Sequence, residues 1–367
     1  MADEHSPLES EIRRLIAIAG PMPLAEYMRL CLTHPQYGYY MNRDPLGAGG
    51  DFITSPEISQ MFGELIGLWM AAVWRQMDEP QDVRVVELGP GRGTLMHDAL
   101  RAAKVVAAFA NAIVVHLVEV SPALQQVQER RLEHLGVAVS WYRTLEEVPN
   151  GPSIVVANEF IDALPVRQAV KGNDGWHERV VDVAPEGHLC IATARDSLPV
   201  FETSMPRALR DAPLGAIYEW RTDDFALELG RRMRKDGAAL IIDYGHERSG
   251  LGDTLQAVAE HSFADPLRVP GRADLTAHVD FEALAQCAES MGARIYGPIR
   301  QRDLFLRLGI EQRAAALKAS APQKAADIEI ALSRLLAGGA RGMGELFKAI
   351  AIAAPELGSL PGFEPPS

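Results

Sequence analysis

The chain has 367 residues, 47% hydrophobic and 23% charged, and 36 basic against 49 acidic residues leave a formal charge of −13. This composition is globular and excludes an intrinsically disordered chain. The acidic balance speaks against nonspecific binding to nucleic acid or an anionic membrane surface, both of which recruit Lys and Arg.

Ser6-Pro7-Leu8-Glu9 has capping-box form with Pro at the first helical position, and Gly20 marks the stop, so a helix is expected to open the chain. A second helical segment follows over 24–32. The aromatic and Gly-rich stretches 34–40 and 47–52 predict a loop, and Thr54-Ser55-Pro56-Glu57 starts another helix. Its residues Ile58, Met61, Phe62, Leu65, Ile66, Trp69, Met70, Val73 and Trp74 draw one core-facing stripe. The longest apolar stretch, 105–118, is broken by Asn111 and His116 and falls short of the ~20 residues of a membrane span.

From residue 83 short apolar runs alternate with helical segments. Strands are expected at 83–88, 113–118, 137–141, 154–157 and 238–242, parallel and joined by right-handed crossovers. The interruption at about 166–224 holds two hairpin strands, 176–183 and 188–193, and a second irregular insertion covers about 245–273. Segments 295–298 and 304–308 are expected to close the sheet as an antiparallel pair, before an Ala-rich helical remainder and a Pro/Gly tail. The partition is a helical N-terminal segment and lid over 1–80, a core over 81–308 and a C-terminal helical segment and tail over 309–367. Cys31, Cys190 and Cys287 lie far apart, with no Cys/His cluster of zinc spacing, which reads as reduced thiols and no metal. The acidic start Met-Ala-Asp-Glu-His lacks the basic beginning of a signal or transit peptide, so the expected location is the cytoplasm.

Glu87-Leu88-Gly89-Pro90-Gly91-Arg92-Gly93-Thr94 lies where the first strand ends and a helix begins, the edge at which open α/β sheets bind ligands. Its glycines let backbone approach a ligand, and a helix N-terminus favours an anionic group. The spacing Glu-x-Gly-x-Gly-x-Gly matches neither the G-x-G-x-x-G dinucleotide fingerprint nor a P-loop. Glu119 ends the second strand, beside Val120 and the helix start Ser121-Pro122; the lesser alternative for it alone is a solvated strand end. The fourth strand runs into Asn158-Glu159-Phe160-Ile161-Asp162, three polar side chains that are costly there unless they face solvent or a ligand. Glu159 and Asp162 suit a cationic acceptor such as a guanidinium, although Asp162 reads equally as the cap of the next turn.

The loop resembles motif I of class I S-adenosylmethionine (SAM) methyltransferases. That resemblance implies a Rossmann-like α/β fold with a mostly parallel seven-stranded sheet, carrying a helical N-terminal lid, insertions and a C-terminal helical segment, and SAM as cofactor. Glu87 would face the amino acid end of SAM, and Gly89, Pro90, Gly91 and Gly93 would pass beneath its carboxylate and ribose. Glu119, with Val120 and Ser121, would hold the ribose hydroxyls, and Asn158 would line the loop beside the methyl group.

Further segments coincide: Tyr37-Gly38-Tyr39-Tyr40, Gly50-Asp51-Phe52-Ile53-Thr54-Ser55-Pro56-Glu57, Asn158-Glu159-Phe160-Ile161-Asp162-Ala163-Leu164-Pro165, Asp243-Tyr244-Gly245, Thr276-Ala277-His278-Val279-Asp280-Phe281 and Gly342-Met343-Gly344-Glu345. Together they resemble the MidA family of SAM-dependent methyltransferases over nearly the whole chain. Its mitochondrial members are complex I assembly factors that methylate an arginine of the large quinone-site subunit. The resemblance implies a protein partner methylated on an arginine nitrogen, and a lid in which Asp51, Thr54 and Ser55 contact the cofactor. It also implies Glu159, Asp162 and His278 as catalytic residues. The His278 loop resembles the Thr-His-Trp loop of other arginine methyltransferases, with Val279 replacing the aromatic; a structural histidine bonded to Asp280 is the alternative. Without a presequence the chain reads as a bacterial member, with a respiratory complex I subunit as leading acceptor. The alternatives are a methyltransferase for another protein residue or a small molecule, and a non-catalytic SAM-binding assembly factor. Neither nucleic acid nor membrane insertion is expected.

Overall fold

Within the unit that carries the glycine loop, seven strands, numbered along the chain, lie side by side in the sheet: β1 Val83–Leu88, β2 Ile113–Val118, β3 Val139–Tyr142, β4 Ser153–Asn158, β5 Gly237–His246, β6 Arg294–Arg300 and β7 Phe347–Ala353. The computed structural model describes residues 5–41, 54–259, 262–339 and 342–364. Spatial order is β3-β2-β1-β4-β5-β7-β6; the first five strands are parallel, and β7 runs antiparallel between β5 and β6. β1, β4 and β5 are apolar nearly throughout because helices cover both faces of a parallel sheet. All the parallel strand ends therefore meet at one edge, with Glu87, Glu119 and Asn158 at or next to the last residues of β1, β2 and β4.

Two expectations at the C-terminal side are corrected. Segment 304–308, expected as a strand, falls in and just beyond the helix Gln301–Arg307, where Leu304 and Phe305 are buried and Gln301 Nε2 donates to Leu335 O at 3.1 Å. A short apolar run is a buried helix turn as readily as a strand. The sheet is closed instead by β7, inside the stretch expected to be helical tail. Its Lys-Ala-Ile-Ala-Ile-Ala sequence alternates with period two, and residues 349–353 are fully buried. Burial on both faces there outweighs the helix preference of alanine.

The stripe helix Gln60–Gln76 packs on the helix Thr94–Ala103 that follows the glycine loop. Gly63 and Gly67 make that approach possible: a Cβ on Gly67 would lie 2.3 Å from Ala99 O, and one on Gly63 2.8 Å from Asp98 Cβ.

By its contacts the chain divides into two units. The sheet unit comprises Leu46–Ile161, Asp223–Glu247 and Phe281–Ser367. The other comprises Met1–Pro45, Asp162–Thr222 and Arg248–Asp280. In it the helix Pro7–Ala19 starts as expected, with Ser6 Oγ accepting Glu9 N–H at 3.2 Å, and ends at Gly20 in the left-handed region, φ 87°. Strand Gly175–Val183 pairs antiparallel with Leu189–Ser197 as the expected hairpin, and also with Arg167–Gly172, which pairs with Ile217–Trp220. Leu8, Ile12, Tyr27, Met28, Val181 and Leu275 form its core.

Candidate active site

The turn after β1 is built by glycines: Gly89, Gly91 and Gly93 have φ of 61°, 52° and 75°, a region open to residues without a Cβ. Gly89 N–H donates to Val118 O at 3.0 Å and Gly93 N–H to Pro90 O at 2.7 Å, which fixes the turn against β2. Gly93 then caps the helix Thr94–Ala103. Glu87 beneath the turn is 3% exposed, and its Oε2 has no hydrogen-bond partner among the described residues. Burial pushes its carboxyl up to about 8; the Met96 N–H opposes this and the Glu119 charge adds to it.

Glu119 stands one residue past β2. Its Oε1 accepts the Ser121 N–H at 2.8 Å and its Oε2 accepts Gln128 Nε2 at 3.1 Å. Burial raises this carboxyl to about 7 against those donors and the Val120 N–H. Ser121 itself is occupied as a cap, its Oγ accepting Leu124 N–H at 3.4 Å. Gln128 was not singled out from the sequence. It is fully buried, also donates to Gly91 O at 2.7 Å and accepts Trp141 Nε1–H at 2.8 Å, so one amide ties the Glu119 carboxylate to the glycine turn. Its spacing from Ser121-Pro122, with Gln125 donating to Glu119 O at 2.8 Å one turn earlier, is the sequence signal that could have found it.

At the end of β4 Glu159 holds a left-handed φ of 51°, a strained state for a residue with a Cβ. Its N–H donates to Ile242 O at 3.0 Å, and its Oε1 accepts both Ser55 N–H and Asn158 Nδ2, each at 3.0 Å. Asp243, fully buried at the end of β5, holds the next two residues: its Oδ2 accepts Phe160 N–H at 3.2 Å and Ile161 N–H at 2.9 Å. Asp243, named from the sequence only within a family segment, thus supports the loop after β4. Ser55 Oγ and Asn158 Oδ1 are buried without a partner among the described residues. Thr54 precedes the short helix Ser55–Ile58, and Glu57 there bonds Thr94 Oγ1 at the start of the glycine-loop helix. Asp51 lies outside the described residues.

Three polar atoms buried without a partner among the described residues (Glu87 Oε2, Ser55 Oγ and Asn158 Oδ1), beside a turn of three left-handed glycines, fit a ligand bearing ammonium, carboxylate and hydroxyl groups. Those are the polar groups of SAM.

Asp162 and His278 belong to the other unit, where the structure brings their segments together. Asp162 Oδ1 accepts Ala163 N–H at 2.9 Å, and its backbone O accepts Ala277 N–H at 3.0 Å. His278 is half-buried, and its N–H donates to Thr254 Oγ1 at 2.9 Å.

Comparison with known proteins is consistent with this geometry. A family described as S-adenosyl-L-methionine-dependent methyltransferase matches residues 65–299. The protein arginine methyltransferase NDUFAF7 homolog, mitochondrial, of Drosophila melanogaster is 41% identical over 86% of this chain and 78% of its own length. The human protein arginine methyltransferase NDUFAF7, mitochondrial, is 38% identical over 85% and 75%. A candidate methyl transferase from Burkholderia thailandensis, solved bound to S-adenosyl-homocysteine, superposes with a TM-score of 0.84 at 28% identity, covering 97% of this chain and 94% of its own. Among the described residues no helix is long and apolar enough to cross a membrane.

Proposed function

The chain belongs to the S-adenosyl-L-methionine-dependent methyltransferase family, and from that premise we propose that it methylates an arginine side chain of a protein partner. The observation that carries the proposal is Glu159. A carboxylate is held in a strained backbone state at the carboxyl end of β4, and its Oε1 is pinned by Ser55 and Asn158. The group brings a negative charge to the strand end, the sign that suits a guanidinium, and relatives at 38–41% identity carry the name protein arginine methyltransferase.

Bound SAM supplies a sulfonium methyl already activated toward a nitrogen lone pair. The protein's part is orientation and charge placement. Glu87 and the glycine turn would receive the amino acid end, Glu119 would accept from the ribose hydroxyls, and Asn158 and Ser55 would offer further polar atoms. Glu159 accepts from the acceptor guanidinium and keeps the attacking nitrogen in line. The methylated nitrogen must give up one N–H proton for the guanidinium to keep its single positive charge, and Asp162 and His278 are the acceptor-side groups offered for that proton. The acceptor we favour is the large quinone-site subunit of the respiratory quinone reductase.

The test uses methyl-labelled SAM and, as acceptor, a lysate of source cells from which the gene has been deleted. Label should appear in methylarginine after protein hydrolysis, in the band of that subunit. The E159Q variant should bind SAM as wild type does and turn over about 10²-fold more slowly, the scale of losing one preorganised transition-state contact. Label only in other residues or small molecules would overturn the arginine reading, and wild-type turnover by E159Q would remove Glu159 from catalysis.

A further inference from the structure

The peptides of both acceptor-side residues are gripped from one place, the strand Ile217–Trp220 and the residue that follows it. The Arg221 guanidinium donates to four backbone carbonyls: Ala277 at 2.8 Å, His278 at 2.9 Å, Asp162 at 3.2 Å and Leu164 at 3.2 Å. Two residues earlier, Glu219 Oε2 accepts from Thr254 N–H at 3.0 Å and from Thr254 Oγ1 at 2.6 Å. That hydroxyl oxygen in turn accepts the His278 N–H at 2.9 Å. His278 is thus held at its N–H through Glu219 and Thr254, and at its C=O by Arg221.

Glu219 is itself immobilised. Its Oε1 accepts from the fully buried Gln168 Nε2 at 2.5 Å, which also donates to Asp253 Oδ1 at 2.8 Å, and Arg179 Nη1 donates to Asp253 Oδ2 at 2.6 Å. Only a planar guanidinium offers donors spread widely enough to join four carbonyls from two segments far apart in the chain. An ammonium on a flexible stem presents its three donors from a single point.

We propose that Arg221, backed by Glu219, is a positioning residue for methyl transfer: through the backbone it sets Asp162 and His278 relative to one another, and so orients the acceptor. The proposal rests on the reading of Asp162 and His278 as acceptor-side residues. A displacement of about 1 Å at such groups costs about 10²-fold in rate, while cofactor affinity is set by the residues of the sheet unit.

The experiment compares R221K, E219Q, D162N and H278Q with wild type in the full chain. Calorimetry gives the Kd for SAM, thermal unfolding gives Tm, and methylarginine formation is followed against increasing lysate protein from the deletion strain. R221K should lower kcat between 10- and 100-fold at unchanged SAM Kd, and E219Q, which weakens one strut, should lower it severalfold. If D162N and H278Q turn over at the wild-type rate, the underlying reading of those residues fails. If they are slow while R221K and E219Q match wild type, that reading stands and the positioning role is overturned. Loss of SAM binding in step with a lowered Tm, with kcat per folded molecule intact, also overturns it by making the contacts purely structural. E219Q keeps the test decisive should R221K fail to fold.

Discussion

A carboxyl group taken out of water prefers to keep its proton, and Glu87 shows the consequence for stability. Its carboxyl is raised from 4.5 to about 8, chiefly by burial. Between those values the folded protein holds a proton that the unfolded chain has released, so the unfolding free energy falls as pH rises through that window. One group contributes at most about 1.4 kcal/mol per pH unit there. Glu119, raised to about 7, adds to the lower part of the range. Urea denaturation of the cofactor-free protein should therefore show stability declining from pH 5 to pH 8, and E87Q should flatten the decline. An identical slope in E87Q would show that the group is already ionised. At this scale the sequence disclosed the residues that announce themselves locally: Glu87 beside its glycines, Glu119 at a strand end, Glu159 in a polar run. Gln128 escaped, and Asp243 was named only within a family segment without a role, because their partners, Gly91 O, Glu119, Trp141 and the 160–161 amides, meet them only in the folded chain.

The stripe on helix Gln60–Gln76 was legible as core packing, yet the stripe alone does not say how closely its partner approaches. That is decided by Gly63 and Gly67, whose missing side chains let the helix after the glycine turn come into backbone contact. The contact bears on function because Thr94–Ala103 begins at Gly93, and any shift of that helix moves the turn. Replacing Gly67 with valine drives atoms into Ala99 O and should cost about 1–3 kcal/mol by overpacking, with weaker SAM binding as well. Chemical denaturation and calorimetry measure both; wild-type stability in G67V would mean that the helices separate freely. The misread elements have a related cause. β7 is apolar and buried on both faces, which erases the one-sided alternation that marks a strand, and the helix Gln301–Arg307 offers only the run Leu304-Phe305-Leu306, too short to carry a helical period.

Across the whole molecule the chain passes repeatedly between two units, and the reading of a single core with additions did not foresee that the additions share a core of their own. Leu8 and Tyr27 from the first stretch pack in one cluster with Val181 and Ala257 from the two insertions, and no local pattern encodes such a long-range cluster. The partition has a measurable consequence. Glu87, the glycine turn, Glu119, Asn158 and Ser55 all belong to the sheet unit, so the stabilisation given by cofactor should enter there. At a free concentration of 100 times Kd a ligand adds about 2.7 kcal/mol to whatever opens to release it. Hydrogen exchange in saturating SAM should slow first in the segments 87–94 and 119–128, which hold the glycine turn and the Glu119 carboxylate proposed for the ribose. It should slow in the strand Gly175–Val183 only as far as that strand opens in the same event. Protection that appears in 175–183 while 87–94 exchanges as before would place cofactor binding in the wrong unit, and the roles of Glu87 and Glu119 would fall with it.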